Sequence, residues 1–293
     1  MNIIGKRYWF LLISGIIMLL GVISLAVFGL KSGVEFTSGS LMTVSFEQDI
    51  AQADLTNELT GLGYSNALVQ TTGTGEFLIR LPELDAAARN KLESGLTGRF
   101  GTLTVGEFDT VSPLVAGETT RNAIIAISVA AVGILLYLSW AFRRMPHPIR
   151  FGTCAVIALV HDIVIVAGLF SILGRIFNWE INLMFVTGLL AILGYSVNNM
   201  VVIFDRIREN LLQGRGVDFE TTVNNSVVET LGRSLNTNLT TIFPLIALLL
   251  IVGASIQNLL VVLLAGIIIG TYDSICVAPS ILVGWQTGRW KSG

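Results

Sequence analysis

GYSVNNMVVIFDRIREN, residues 194–210, continues the apolar run Ile181–Leu193 and then breaks it with polar groups. Tyr195, Ser196, Asn198 and Asn199 fall inside what that run makes a membrane-spanning helix, and Asp205, Arg206, Arg208 and Glu209 mark where the helix leaves the bilayer. Amides and hydroxyls are costly at membrane depth unless they find partners, so four of them within five residues point to a functional site. For any one of these residues the alternative role is packing, with Gly194 and Ser196 allowing close helix approach and the amides bridging helices.

The rest of the chain fits a polytopic helical membrane protein. It is 53% hydrophobic and 13% charged, with a mean hydropathy of +0.74, a composition unsuited to a water-exposed surface. Six runs are long enough to span, near residues 8–30, 121–142, 151–173, 181–204, 236–253 and 257–284. Pro244 is expected to kink the fifth. Lys6, Arg7, Arg143, Arg144, Arg150, Arg206, Arg208, Arg215, Arg233, Arg289 and Lys291 recur on alternate crossings, which assigns those segments and both termini to the cytoplasm. The short turns around 174–180 and 253–257 and the long insertion at 31–118 then lie on the outer face. Residues 119–285 form a five-helix core with a cytoplasmic loop near 205–235, and residues 286–293 a cytoplasmic tail. The first apolar run exceeds a signal-peptide core and lacks a cleavage site, so residues 1–30 read as an anchor. Cys154 and Cys276 both fall within helices and read as buried thiols.

The insertion carries 12 acidic residues against five basic ones, which argues against a nucleic-acid partner. LMTVSFE, ALVQT, EFLIRLP and LTVGEFDTV read as strands, 54–62 and 85–100 as helices, and TGTGE at 72–76 as a turn. That order, β-α-β-β-α-β, is the ferredoxin-like arrangement. Asp85 is positioned as a helix N-cap. GVEFTSGS at 33–40 lacks the lysine of a phosphate loop and reads as a tight connection, with Gly33 and Gly39 supplying unusual backbone angles.

His161 and Asp162 lie near the bilayer centre in the third span. Successive helical positions diverge by about 100°, so they are expected to contact different neighbours, and a metal site is disfavoured without further ligands. Asp162 is a candidate for a proton path, with hydrogen-bonded packing as its other role. Arg233, Thr237 and Thr241 recur at helical spacing along the entry of the fifth span, with Thr240 adjacent, and are expected to turn a cation and hydroxyls toward Asn199. Asp273 in the sixth span has no assigned role.

GYSVNNMVVIFDRIREN resembles the fourth-helix motif of the SecF family, the smaller membrane subunit of the bacterial SecDF export complex. GVEFTSGS, ALVHD at 158–162 and RSLNTNLTT at 233–241 agree with that family in order, so the resemblance covers nearly the whole chain. It departs at Glu35, where the family has Asp, at Ser38, where it has Gly, and at Asn199, where it has the proton-carrying Asp. The resemblance implies half of an RND-type transporter in the bacterial inner membrane. Its implied role is to use the proton gradient, with SecD as the other half, to promote preprotein export through the SecYEG channel. YajC is a further candidate associate. No cofactor beyond protons and no hydrolytic site is implied.

The implied proton path comprises Asn199, Asn198, Ser196, Arg233, Thr237, Thr240, Thr241, Asp162 and His161. Because Asn199 cannot ionise, it mimics a permanently protonated carboxyl and leaves the chain open to being proton-uncoupled. Two origins are open: a substitution made to trap one state, favoured by the intact flanking motif, and a natural variant whose proton carrier lies elsewhere. A half-size RND exporter of lipid or drug and a non-coupled membrane scaffold or chaperone are the competing functions.

Overall fold

The computed structural model describes residues 1–71, 75–145, 147–214, 218–252, 254–288 and 290. Arg215, Gly253, Arg289, Lys291 and most of the 72–76 turn lie outside the described residues. In chain order the elements are α1 (Arg7–Phe28), α2 (Val34–Thr37), β1 (Gly39–Phe46), α3 (Gln52–Gly61), β2 (Leu68–Thr71), β3 (Phe77–Leu81), α4 (Ala86–Phe100) and β4 (Leu103–Val111). Then follow α5 (Pro113–Ala141), α6 (Pro148–Phe177), α7 (Leu183–Leu212), α8 (Phe219–Ile251), α9 (Ala254–Tyr272), a π-helical turn (Asp273–Val277) and α10 (Ala278–Thr287). Six helices are long and apolar enough to cross a membrane, the last running through α9, the π-turn and α10.

Three boundaries differ from the sequence expectation. The second span begins at Pro113, inside the segment assigned to the external domain, because Ser112 caps it by accepting from the Val115 N–H and Pro113 is pre-shaped for a first turn. The segment 205–235 is a helical hairpin rather than a loop, since α7 continues to Leu212 and α8 starts at Phe219 behind the N-cap Asp218. Its charges are paired along the helices: Arg206 bonds Glu209 and Glu229, both at 2.5 Å, and Arg208 bonds Asp205 at 2.8 Å. Pro244 sits within α8, which runs unbroken around it.

The insertion folds as read. Its four strands form one antiparallel sheet in the order β2-β3-β1-β4, with α3 and α4 in the two crossovers. Met42, Val44, Phe77, Ile79 and Leu81 alternate onto one face and are buried against Leu55 and Leu59 of α3 and Leu92 and Leu96 of α4. Between Met42 and Val44 the register with β4 shifts by one residue, a bulge opposite Thr43. Asp85 caps α4 as expected, accepting from the Ala88 N–H at 2.7 Å.

Among the spans, α1 and α6 run in parallel lockstep. Ser14 meets His161, Ser24 meets Ser171 and Lys31 meets Asn178, each at a separation of 147 residues. Gly21 meets Gly168 at that same offset, so closely that a Cβ on Gly168 would lie 2.5 Å from the Gly21 Cα. Small residues let the two backbones approach where lipid gives no hydrophobic drive. That closeness seals Ser14 against α6.

GVEFTSGS is a tight connection, but its special backbone angles fall at Ser38 (φ 67°) and Gly39 (φ 125°), whereas Gly33 has an ordinary φ of −70°. Gly33 is needed for space: a Cβ there would sit 2.6 Å from Glu35 Oε2 and 3.0 Å from the Ile181 carbonyl. Ser38, with ψ 164° as well, occupies a region that only glycine enters freely, at a cost of about 1–3 kcal/mol. Ser38→Gly is therefore expected to raise stability by about 1 kcal/mol in thermal unfolding in detergent; an unchanged or lowered midpoint would contradict the strain.

Candidate functional site

Polar side chains from five of the spans meet in the buried interior, in two adjoining groups. The first lies at the midpoint of α6. His161 and Asp162 are both buried, and as expected their hydrogen bonds go to different neighbours, Ser14 of α1 and Ser196 of α7. Their side chains nevertheless stay close: His161 Nδ1 lies 3.5 Å from Asp162 Oδ1 and 3.7 Å from Oδ1 of Asp273, which enters from the π-turn. Ser14 of α1 holds His161 Nε2 at 2.5 Å, and the Ser196 hydroxyl of α7 donates to Asp162 Oδ2 at 2.8 Å. Gly270 closes the other side, where a Cβ would press on Ser196 Oγ at 3.0 Å. Asp273 thus supplies the third donor that the sequence reading lacked when it set a metal aside: one atom from each of His161, Asp162 and Asp273 lies within 4.8 Å of the others.

The second group surrounds Asn199. Its amide N–H donates to Asn238 Oδ1 of α8 at 3.1 Å, and Asn238 donates to Thr271 Oγ1 of α9 at 2.5 Å. Thr271 passes the chain on to the Ile267 carbonyl. Every link is a neutral donor–acceptor pair, so this group is structurally satisfied and carries no titratable atom. Asn238 was not singled out from the sequence, yet it continues the buried α8 stripe Thr222, Ser226, Thr230 and Ser234 at four-residue spacing. Ser14 lacked a comparable signal, being one hydroxyl in an apolar run.

The predicted cation does not reach Asn199. Arg233, Thr237 and Thr240 are exposed on the outer face of α8, as is Asn198 on α7, while Asn238 occupies the facing position. Thr241 is half-buried and shares a 2.8 Å hydrogen bond with the Tyr195 hydroxyl. Cys154 and Cys276 are buried and unpaired with one another.

A third polar contact joins the sheet domain to the membrane helices. The α6–α7 connection adds to the entry of the domain: the Ile181 N–H donates to the Lys31 carbonyl at 2.7 Å and the Gly33 N–H to the Ile181 carbonyl at 2.8 Å. Arg80 of β3 donates to both Glu180 and the Ser32 carbonyl at 2.8 Å, and Asn258 of α9 reaches the Glu180 carbonyl. Burial raises Glu180 above the ordinary carboxylate range, with Arg80 pulling it back. Burial likewise raises Glu35, opposed by the backbone N–H groups of Glu35 and Leu183.

Comparison with known proteins follows the same span. The model for the C-terminal region of the protein export membrane proteins SecD and SecF matches residues 92–288, and the SecD/SecF GG motif matches residues 23–50. The chain belongs to the SecD/SecF family. It is 40% identical over 100% of its length to the protein translocase subunit SecF of Anaerolinea thermophila, covering 96% of that chain. With that of Thermobaculum terrenum it shares 41% identity over 97% of its length and 94% of the relative. The crystal structure of SecDF from Thermus thermophilus, described as a translocon-associated membrane protein, superposes with a TM-score of 0.88 at 32% identity, over 98% of this chain and 39% of that one. SecDF in a form called super-membrane-facing gives a TM-score of 0.71 at 31% identity. Near-equal identity with unequal superposition places the difference in arrangement, not in sequence.

The GG motif coincides with the turn at Ser38 and Gly39, whose positive φ angles give the glycines their physical reason. The raised Glu35 sets a pH dependence there. The folded state prefers the protonated acid, so its contribution to stability is full below the ordinary value of 4.5 and is lost as pH rises through the higher folded value. Glu35→Gln removes that loss. Its stability relative to wild type is expected to grow from pH 4.5 toward neutrality in thermal unfolding; a pH-independent offset would contradict it.

Proposed function

We propose that this chain is the SecF-type half of a proton-driven export machine, assembled with SecD and working beside the SecYEG channel to draw preproteins outward. The observation that carries this reading is the uncovered polar face of α7 and α8. Asn198, Arg233, Asn236, Thr237 and Thr240 are exposed in the isolated chain, along helices whose length and composition suit a bilayer. Such groups are not left facing lipid. A second helical bundle covering them is the natural complement, and the fused SecDF proteins, of which this chain matches 39% in the solved structures, contain additional chain from which one could come.

The orientation follows from charge. Arg7 bonds Glu220 at 2.5 Å and the Ile3 N–H bonds Asn224, so the N-terminus and the α7–α8 hairpin share one end of the bundle. Arg150 joins that end to α10 through Gln286 at 2.7 Å. The sheet domain sits at the other end, on the α6–α7 connection. Counting the basic residues assigns the first end to the cytoplasm and the domain to the outside. The contacts of Arg80 and Glu180 then provide a mechanical link through which motion among the helices reaches the domain.

The test is co-reconstitution with SecD and the export channel in vesicles bearing an imposed proton gradient. Several-fold stimulation of preprotein export is expected with both halves and none with this chain alone. Arg233→Leu is expected to reduce copurification of SecD. Stimulation independent of SecD, or a complex that forms unaltered with Arg233→Leu and Thr237→Leu together, would contradict the assignment.

A further inference from the structure

Three titratable side chains lie in the described interior of the helices with atoms that lack a hydrogen bond. Asp273 has neither oxygen hydrogen-bonded, and Asp162 Oδ1 and His161 Nδ1 likewise meet only in the longer 3.5 and 3.7 Å contacts around His161. All three are buried near the middle of their spans, and among the described residues His161 is the only basic side chain within 4.0 Å of either carboxylate. A buried carboxyl with two idle oxygens adds nothing to packing that a smaller residue would not, and costs much more. The π-turn that begins at Asp273 has its own local cause in Pro279, which cannot donate to the preceding turn, but that accounts only for the backbone. It gives no reason for a carboxylate at that position. The Asn199 group, by contrast, is closed by neutral hydrogen bonds and has nothing to titrate.

We propose that His161, Asp162 and Asp273 together bind and release the transported proton in this chain, the role that Asn199 cannot perform. This rests on the export reading above. In the loaded state His161 is imidazolium, its Nε2–H donating to Ser14 and its Nδ1–H facing both carboxyl groups. Asp162 is ionised and accepts from Ser196, and Asp273 carries the transported proton, so the charges cancel. Release breaks the Asp273 O–H bond, the proton passes to water on the exit side, and the site is left with one net negative charge. Uptake reverses the step. An uncompensated charge at this depth is costly, so the two states favour different helix arrangements, and the centre can drive motion.

The other groups facing the centre do not replace it. From α1 it meets Ser14 and from α7 Ser196, both hydroxyls. From the sixth span it meets Tyr272, whose hydroxyl donates to the Phe10 carbonyl at 2.8 Å, and Cys276, which lies on the same π-turn as Asp273. Relocation of the carrier favours the natural-variant origin of Asn199.

The test uses the full chain with SecD and the export channel in vesicles. Wild type, Asp273→Asn, Asp162→Asn and Asn199→Asp are compared with and without a proton gradient, and SecD copurification is scored for each. Asp273→Asn is expected to assemble normally and to export at the rate seen without a gradient, while wild type is stimulated. Retained stimulation in Asp273→Asn would overturn the proposal, as would stimulation of wild type by a sodium gradient alone or its dependence on added zinc. If wild type shows no stimulation, the export reading fails, and the centre is then judged on the purified chain by potentiometric titration. One proton more exchanged by wild type than by Asp273→Asn upholds the site; identical curves overturn it. If Asp273→Asn does not fold, Asp273→Glu, which keeps the carboxyl, is expected to fold and remain gradient-sensitive with a displaced pH profile, and an unchanged profile overturns the site.

Discussion

Every polar group carried into the bilayer must find a partner inside the protein, and that requirement organises this chain more than any single apolar contact. It explains why α1 and α6 approach at Gly21 and Gly168, bringing Ser14 against His161 and Ser24 against Ser171. It explains the neutral relay from Asn199 through Asn238 to Thr271. Among the described residues, two places where the requirement is not met bear on function, and they differ in kind. One is the surface of α7 and α8, which a second bundle can cover. The other is the buried His161–Asp162–Asp273 centre, which protons can complete.

The two ends of the bundle have different jobs. On one, paired charges extend α7 and α8 into water as a hairpin and tie the N-terminus to it. On the other, the sheet domain rests on the α6–α7 connection through backbone bonds between Lys31, Gly33 and Ile181 and through the Arg80–Glu180 pair. Both helices of that connection contribute to the buried centre, α6 with His161 and Asp162 and α7 with Ser196. In the proposed cycle, a shift of either helix on proton release reaches the base of the domain through these contacts without an additional element.

Much of this was legible in the residues. The apolar runs located all six spans, and alternation in LMTVSFE and EFLIRLP, with Asp85 as a cap, gave the domain its order of elements. Boundaries were less legible, because charge was read as the end of a helix. Arg206, Glu209 and Glu229 pair along helices that simply continue into water, so charge marked the membrane surface and not the helix terminus. The site was half legible. Asn199 stood out because an amide is conspicuous in an apolar run, but its partner depended on which face of α8 turns inward, and Arg233 was chosen over Asn238. His161 and Asp162 were treated as diverging because sequence offers only the angle between adjacent positions. Each is held by a hydroxyl from another span, Ser14 for His161 and Ser196 for Asp162, and Asp273 joins them from more than a hundred residues later, a packing that no local pattern encodes.

The central claim is that the titrating charge of the membrane core sits on Asp273 and its two neighbours and not at Asn199. Infrared difference spectroscopy of the purified chain across a pH titration reads it directly, through the carbonyl stretch of protonated carboxyl groups buried away from water. Glu35, Glu180 and Asp162 contribute to that band in both proteins, so the expected result is a component that disappears as pH rises in wild type and is missing from Asp273→Asn. Identical titrating bands in wild type and Asp273→Asn would contradict it.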